Sequence, residues 1–195
     1  MTKYLKFRKL TSSVGDPTVS NENWYGYPTC YSVWNGDVFP DGNFSPGSQF
    51  LPAPNATWTD ALCAERAVPP RLVLEAHTAP IDGKFNADSS AMYATLHGSW
   101  NSDSPTGYKV VEIPFKQNKD GGHEPVAAQN SGNGYNDILW DTGKDCNAAT
   151  CLRPSGLDWD NDFSRIFFAS DGSEGELFML YKETGELSGP NSDEL

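Results

Sequence analysis

Short apolar stretches that end at turn signals dominate the chain from residue 71 onwards. The sequence contains, in this order, RLVLEAH, AMYATLHG, YKVVEIPF, NDILWD, SGLDWD, RIFFASD and ELFMLYK, with turn signals about every 8 to 15 residues. One face of YKVVEIPF carries Val111, Ile113 and Phe115, and the other carries Tyr108 and Val110, which is the two-residue period of a strand. No segment has a convincing helical period. The pattern predicts an all-β sandwich, barrel or propeller.

A weak internal repeat favours the propeller. The segments PIDGKFNADSSAMYATLHG (80–98) and PSGLDWDNDFSRIFFASDG (154–172) can be laid over each other, which gives a unit of about 75 residues, the length of a blade with insertions. The chain would then hold about two blades, whereas a closed propeller needs roughly four to eight. We therefore predict a partial β-propeller, with inner strands near 76–82 and 154–160 that run towards the same face.

The residues before 71 form a lead-in that is rich in loops. Turn-forming segments follow one another closely there, namely DPT, GYPT, NGDVFPDGN, SPGS and LPAPN. A compact domain rarely contains so long a stretch without regular structure. We expect either elaborate loops on a larger scaffold or a lead-in whose support lies outside this chain.

Four cysteines and two glycosylation sequons indicate an oxidising compartment. Cys146 and Cys151 close a short loop whose spacing suits a local disulfide, and Cys30 would then pair with Cys63. Four cysteines allow three pairings, and the sequence alone does not choose among them. The sequons begin at two asparagines in Pro- and Gly-rich sequence that should be surface loop: Asn43 and Asn55.

The charge and the termini limit the partners and the location of the chain. A formal net charge of -12 disfavours nucleic acid and anionic membranes as partners, because like charges repel. No apolar run is long enough to span a bilayer. The basic start, residues 1–14, is not a secretory signal peptide, and residues 183–195 form a polar tail. Because the cysteines indicate secretion, we expect the true N-terminus to lie elsewhere and residues 1–14 to be an atypical, truncated start.

Six motifs carry a family resemblance across residues 15–182. These motifs are NWYGYPTC, AHTAPIDGKF, LHGSWN, GYKVVEIPF, CLRPSGLDWD and FASDGSEGELFML, and together they resemble the C-terminal part of the sorbosone or pyranose dehydrogenases, quinoproteins related to soluble glucose dehydrogenase. The resemblance implies a six-bladed β-propeller that oxidises sugars with pyrroloquinoline quinone (PQQ) and calcium and passes the electrons to an acceptor. Its fungal branch is secreted.

Arg153, His77 and Thr78 are the first cofactor-binding candidates that the resemblance implies. Arg153 begins a motif similar to Arg-Pro-x-Gly-Leu, in which the arginine faces the cofactor, and a guanidinium can bind a carboxylate through two hydrogen bonds. His77 and Thr78 lie in AHTAP, which resembles His-Ser-Ala-Pro. The alternatives are a surface ion pair for Arg153 and a strand-end histidine satisfied by a backbone carbonyl for His77.

His97 and Asn101 complete the candidate set. Both lie in HGSWN, where relatives carry a lysine that contacts the cofactor, so the neutral Asn101 would replace a charged contact. Trp100 of the same motif could stack on the quinone, but a tryptophan in a blade turn more often packs in the core, and we favour packing.

The resemblance places neither the catalytic base nor the calcium segment within this chain. Asp158, Asp160 and Asp162 alternate like the start of a calcium loop, but the sixth position is not glycine and the twelfth is Ala169, so the segment fits a strand end and a turn better. We expect a fragment of a PQQ-dependent sugar dehydrogenase that contributes part of the quinone-binding wall and is inactive alone.

Two other functions stay open. The chain could be a non-catalytic, secreted carbohydrate-binding propeller module, because exposed aromatic rings can pack against the apolar faces of sugars. The rings considered for this role are Trp24, Tyr25, Trp34 and Trp140. Alternatively, the chain could be a structural fragment with no activity.

Overall fold

The computed structural model describes residues 24–141, 146–147, 149–172 and 175–182, so the predicted start at 1–14 and tail at 183–195 lie outside the described residues. The chain is nearly all-β with little helix, which confirms the fold class at that level. The elements are, in chain order, β1 (Tyr31–Ser32), a 3₁₀ helix (Gly36–Val38), β2 (Gln49–Phe50), α1 (Asp60–Arg66), β3 (Pro80–Phe85), β4 (Ala91–Leu96), β5 (Lys109–Gln117), β6 (His123–Pro125), β7 (Asn136–Trp140), β8 (Pro154–Trp159), β9 (Arg165–Ser170) and β10 (Glu176–Tyr181).

Two antiparallel sheets make up the main body of the described residues. The first sheet has the order β3-β4-β5, and β5 then pairs with β7 along its first half and with β6 along its second half. The second sheet has the order β8-β9-β10. The short strands β1 and β2 pair separately in the lead-in.

The internal repeat corresponds to two equivalent hairpins. The strands β3, β4, β8 and β9 all have six residues, and β8 begins as far after β3 as β9 begins after β4. Pro80 is opposite Leu96 in the first hairpin, just as Pro154 is opposite Ser170 in the second. Each register shifts directly after its proline. The repeated sequence therefore encodes a repeated structural unit.

The two faces of β5 belong to different cores, as the alternation of YKVVEIPF predicts. Val111 and Ile113 pack with Ala94 and Leu96 on one side, against Leu72 and Leu74 of the segment that precedes β3. Val110 packs on the other side in a core shared with the second sheet, whose buried members are Leu157, Ile166 and Phe168. The two sheets thus pack face to face through apolar side chains, which is the main stabilising contact between them.

The first inner strand begins later than the sequence predicts. We expected a strand over RLVLEAH and an inner strand near 76–82, but residues 71–79 are outside any strand and β3 begins at Pro80. His77 and Ala79 have φ values of 64° and 50°, which are incompatible with an extended chain. The prediction near 154–160 agrees with β8, and the side chain of Asp82 bridges the two strands by accepting a hydrogen bond of 3.1 Å from the Leu157 amide.

The sequence also led us to predict no helix. This prediction is wrong, because α1 lies in the lead-in. Thr59 caps its N-terminus by accepting a hydrogen bond of 3.2 Å from the Leu62 amide, and Asp60 and Arg66 complement the helix dipole at the two ends. The capping residues are visible in the sequence. The helix itself has only seven residues and buries only Cys63, so it shows too few apolar residues for a helical period to be detected.

Both predicted disulfides are present. Cys30 and Cys63 have Cα atoms 5.7 Å apart and tie α1 to the turn after Trp24, in a core with Leu51 and Ala67. Cys146 and Cys151 have Cα atoms 5.3 Å apart and pack against a single aromatic ring, that of Tyr108. Both separations lie within the range that a disulfide requires.

Among the described residues, no helix has the length and apolar character needed to cross a membrane. The two sequon asparagines, Asn43 and Asn55, are exposed in loops, as a glycosylation site must be. Their modification stays a prediction.

Candidate functional site

The predicted site residues lie together at one end of the strands of the two sheets; this end is called the site edge below. Because neighbouring strands are antiparallel, the starts of β3, β5 and β8 lie beside the ends of β4 and β9. His97 directly follows β4, Arg153 directly precedes β8 and Asp171 directly follows β9. We call these three side chains the Arg153 cluster.

Arg153 is the centre of this cluster. Its Nη2 lies 2.8 Å from Nδ1 of His97, and its Nε lies 3.9 Å from Oδ1 of Asp171. The guanidinium also lies over the ring of Tyr108, 5.8 Å from the ring centroid. Arg153 is only 8 % exposed, and its Nη1 is buried without a hydrogen-bond partner among the described residues. A buried donor with no acceptor is costly, so this nitrogen is a candidate for contact with a ligand.

His97 connects the two other members of the cluster. Its Nε2 lies 2.6 Å from Oδ1 of Asp171, and its Nδ1 faces Arg153. The imidazole side chain is 17 % exposed, whereas the Asp171 side chain is 60 % exposed. The cluster therefore extends from a buried guanidinium to a carboxylate at the surface.

His77 and Asn101 form a second pair on the same edge. The Asn101 amide oxygen accepts a hydrogen bond of 3.2 Å from Nδ1 of His77, and both residues are exposed. Thr78 is 1 % exposed, and its hydroxyl donates its one proton to the Glu75 carbonyl at 2.8 Å. Its own carbonyl accepts from the Gly98 amide at 3.0 Å, so Thr78 holds the turn beside the site. A direct contact of Thr78 with a cofactor stays a prediction.

Trp100 lies at the surface, so our preference for core packing is wrong. The residue is 79 % exposed. It borders a cavity of about 310 Å³ together with Ser99, Ser102, Pro105, Tyr108 and the disulfide loop at Cys146, Asn147 and Ala149. Its ring is free to stack on a planar ligand.

The ring of Tyr108 lies against the guanidinium of Arg153 and supports it. The Tyr108 side chain is buried, its φ is 57°, and its hydroxyl donates a hydrogen bond to the Ser99 carbonyl. Its ring packs directly on Gly98, where an added Cβ would lie 2.4 Å from the ring. Only a glycine therefore fits at position 98 beside this ring. The HGSWN motif serves partly to accommodate the ring of Tyr108.

Lys109, the residue after Tyr108, is a buried cation that the sequence did not single out. Its ammonium lies 3.1 Å from a carboxylate oxygen of Asp137 and 3.4 Å from one of Glu75. Burial favours the neutral amine, but the hydrogen bond to Asp137 and the nearby negative charges outweigh this, so the pKa of Lys109 is raised. Two carboxylates already pair with this cation, whereas Nη1 of Arg153 has no partner among the described residues.

Asp158, Asp160 and Asp162 do not come together as a group of three side-chain metal ligands in the described structure. Asp160 caps the turn after β8 by accepting hydrogen bonds from the amides of Ser164 and Arg165, which confirms the predicted strand end and turn. The described residues contain one group with three potential metal ligands, Asp141 with Cys146 and Cys151. Because the two sulfurs are joined in a disulfide, they are not thiolate ligands.

The aromatic residues considered as sugar platforms are dispersed. Trp24 is buried at 2 % exposure, which excludes it as a platform, and the Trp34 indole donates a hydrogen bond to the Gly132 carbonyl. Tyr25 and Trp140 are 61 % and 53 % exposed. The described structure therefore contains two exposed rings of this set and no row formed by all four.

Sequence reasoning missed Asp171 and Tyr108. The signal for Asp171 was present in the repeat, because Asp171 follows β9 just as His97 follows β4. His97 and Asp171 thus occupy equivalent positions of the two hairpins, and they hydrogen-bond to each other. Nothing in the sequence near Tyr108 marks it as the support of a residue in another sheet.

Comparison with known proteins identifies the relatives of this chain. The TrAA12-like family model matches residues 6–183. The chain is 37 % identical over 184 residues to a pyrroloquinoline quinone-dependent pyranose dehydrogenase of Coprinopsis cinerea, covering 91 % of this chain and 25 % of that protein. It is 38 % identical over 168 residues to a pyrroloquinoline quinone-dependent sugar dehydrogenase of Hypocrea jecorina, covering 85 % and 36 % respectively. The chain therefore spans only about a quarter to a third of these relatives.

Solved structures agree with the sequence match. The holo form of the pyranose dehydrogenase PQQ domain from Coprinopsis cinerea superposes with a TM-score of 0.75 at 36 % identity, covering 82 % of this chain and 40 % of that one. The calcium structure of the Trichoderma reesei family AA12 enzyme gives a TM-score of 0.71 at 36 % identity, covering 81 % and 38 %. The resemblance inferred from the six motifs is thereby confirmed, and the chain belongs to the TrAA12-like family.

Proposed function

We propose that this chain forms part of the quinone-binding wall of a PQQ-dependent sugar dehydrogenase. The relatives are PQQ-dependent pyranose and sugar dehydrogenases, which supports this class of activity. The observation that carries the proposal is the Arg153 cluster, where a buried guanidinium nitrogen has no hydrogen-bond acceptor among the described residues. The cluster lies at the strand-end edge, which is where a propeller opens into its ligand cavity.

The donor set of this edge suits the quinone. PQQ carries three carboxylates and an ortho-quinone, and its oxygens are the acceptors that Nη1 of Arg153 lacks. Because Nη1 is shielded, the guanidinium would have to shift slightly to reach a ligand, and within the described part of the chain no hydrogen bond restrains that nitrogen. His77 and Asn101 offer exposed polar groups, and the exposed Trp100 ring offers a stacking face. Bound PQQ supplies the electron-accepting chemistry of sugar oxidation.

The proposed architecture is a sector of a six-bladed propeller, formed by two blades and a loop-rich lead-in. The equivalent hairpins β3-β4 and β8-β9 support it, since repetition of one unit is the principle of the propeller. Strand β10 also leaves one apolar side exposed, as a blade does before its neighbour covers it. The exposed residues are Leu177, Met179 and Tyr181.

The remaining parts of the proposal follow from the family. Calcium would be held by a segment outside the matched region, the substrate is a sugar, and the electrons pass to an acceptor. Secretion and glycosylation at Asn43 and Asn55 are proposed with them, supported by the two disulfides. The alternative, a carbohydrate-binding module without activity, is weakened because Trp24 is buried.

Replacement of Arg153 by alanine should weaken PQQ binding by about 1.5 to 3 kcal/mol, because a charge-assisted hydrogen bond is lost. Arg153→Lys should also lose affinity, since an ammonium has no planar pair of donors. Fluorescence titration of the chain with PQQ measures both. Arg165→Ala removes an equal charge from an exposed position and serves as the control. Equal affinities for the Arg153→Ala and wild-type chains would refute the assignment.

The 195-residue chain should not oxidise sugars by itself. The resemblance places the catalytic base and the calcium segment before the first motif found here, and the chain covers 25 % of the pyranose dehydrogenase it resembles. The measurement is sugar-dependent dye reduction in the presence of PQQ and calcium, with a full-length relative as the positive control. Robust turnover by this chain would show that the wall is catalytically sufficient and would contradict the fragment proposal.

A further inference from the structure

The contacts of His97 determine which of its ring nitrogens carries the proton. A guanidinium has donors only, so Nδ1 of His97 accepts from Nη2 of Arg153 at 2.8 Å. A neutral imidazole with an accepting Nδ1 carries its proton on Nε2. That proton is donated to Oδ1 of Asp171 at 2.6 Å, a short distance typical of a bond to a charged acceptor. Both ring nitrogens are thus engaged.

The opposite tautomer is incompatible with this arrangement. A proton on Nδ1 would oppose the N–H group of Arg153, and Nε2 would then present a lone pair to the carboxylate of Asp171. Each contact would place two like groups face to face. The guanidinium and the carboxylate therefore favour the same tautomer, and that tautomer gives Arg153 its acceptor. Asp171 also forms a long ion pair with Arg153, with Oδ1 3.9 Å from Nε. The backbone amide of Asp171 donates a hydrogen bond of 3.1 Å to the Arg153 carbonyl.

We propose that Asp171 is a positioning residue of the quinone-side site, which fixes the Nε2–H tautomer of His97 and thereby the orientation of the Arg153 guanidinium. The inference rests on the proposed function, because it assigns Arg153 to the quinone. It excludes His97 as a general base, since neither ring nitrogen is free to take a proton. Nη2 bonds to His97, and Nη1 is the guanidinium nitrogen that has no hydrogen-bond partner among the described residues and is offered to a ligand.

The tautomer can be measured directly. The chain has three histidines, so ¹⁵N-histidine labelling gives few signals, and a His97→Gln variant identifies those of His97. Long-range ¹H–¹⁵N correlation spectra at mildly alkaline pH should show a protonated Nε2 and an unprotonated Nδ1 in the wild-type chain. A wild-type His97 protonated on Nδ1, alone or together with Nε2, would overturn the proposal without any variant.

Variants of Asp171 separate positioning from a general structural role. Asp171→Ala leaves only the Arg153 contact to favour the Nε2–H form, so the Nδ1–H form should gain population. Asp171→Asn should keep the Nε2–H form, because its amide oxygen still accepts. Asp158→Ala removes an equal charge at an exposed carboxylate that pairs with Lys84, and it should leave the His97 signals unchanged. An unchanged tautomer in a folded Asp171→Ala chain would overturn the inference. If that variant fails to fold, a wild-type or Asp171→Asn spectrum that lacks the Nε2–H form of His97 would still overturn the inference.

Quinone affinity tests the link to function. Asp171→Ala should weaken PQQ binding about tenfold, since one supporting hydrogen bond is lost, and Asp171→Asn should recover most of that affinity. Wild-type affinity in Asp171→Ala would overturn the positioning role. If the wild-type chain binds no PQQ, the proposed function fails, whereas a changed tautomer in Asp171→Ala would still support the control of His97 by Asp171.

Discussion

The double variant Cys30→Ala/Cys63→Ala should lose about 4 kcal/mol of its free energy of unfolding. The disulfide joins residues 33 positions apart, and its removal restores the corresponding loop entropy to the unfolded chain. Both cysteines are almost completely buried beside Trp24 and Leu51, so alanine also removes packed atoms from the lead-in core. Urea unfolding monitored by tryptophan fluorescence measures the loss.

The second disulfide provides the matched control. Cys146 and Cys151 are only 5 positions apart, so Cys146→Ala/Cys151→Ala should cost about 2 kcal/mol on the same chain-entropy model. The order of the two losses is the test. A larger loss for the short loop would mean that the packing of Cys146 and Cys151 on Tyr108, rather than chain entropy, dominates the stabilisation.

Gly98→Ala should lose about 3 to 4 kcal/mol of unfolding free energy and also weaken quinone binding. The new Cβ would lie 2.4 Å from the Tyr108 ring, and φ at this position is +99°, which an alanine rarely adopts. Because Tyr108 lies under the Arg153 guanidinium, displacement of the ring disturbs the cofactor site as well. Urea unfolding and PQQ titration of the same sample measure the two effects.

Gly121→Ala isolates the steric part of this effect. Gly121 has a comparable φ of +84°, but no atom lies within 4 Å of its added Cβ. The backbone strain is therefore similar, while the clash with an aromatic ring is absent, so Gly121→Ala should cost only about 1 kcal/mol. Equal losses for the two variants would show that backbone strain alone accounts for the Gly98 result and that Tyr108 moves freely.

The sequence predicted strands well where apolar residues alternate between two buried faces. Strand β5 is the best example, because Val110 and Val111 each meet a separate core. The prediction failed before β3, where Leu72 and Leu74 alternate and pack on the core without forming a strand. Alternation reports which side chains are buried, whereas the turn at His77 and Ala79 depends on backbone conformations that the pattern does not encode.

The candidate site was only partly accessible from the sequence. The motifs indicated Arg153, His97, His77 and Asn101, and the structure places all four at one edge of the sheets. The pairing of His97 with Asp171 depends on two separate hairpins that pack side by side, so no local pattern encodes it. Trp100 was misjudged for the same reason, since its exposure depends on where neighbouring turns end.

The placement of β5 between two cores makes the two sheets a single cooperative unit. Consecutive residues of this strand, Val110 and Val111, are completely buried in opposite directions, so no local opening can release one core and leave the other intact. The hairpins look like separable modules in the sequence, but Val110 of β5 packs into the core of the second hairpin while Val111 packs into that of the first. Amide hydrogens of β4, β5 and β9 should accordingly exchange through one common opening reaction, with the same protection free energy.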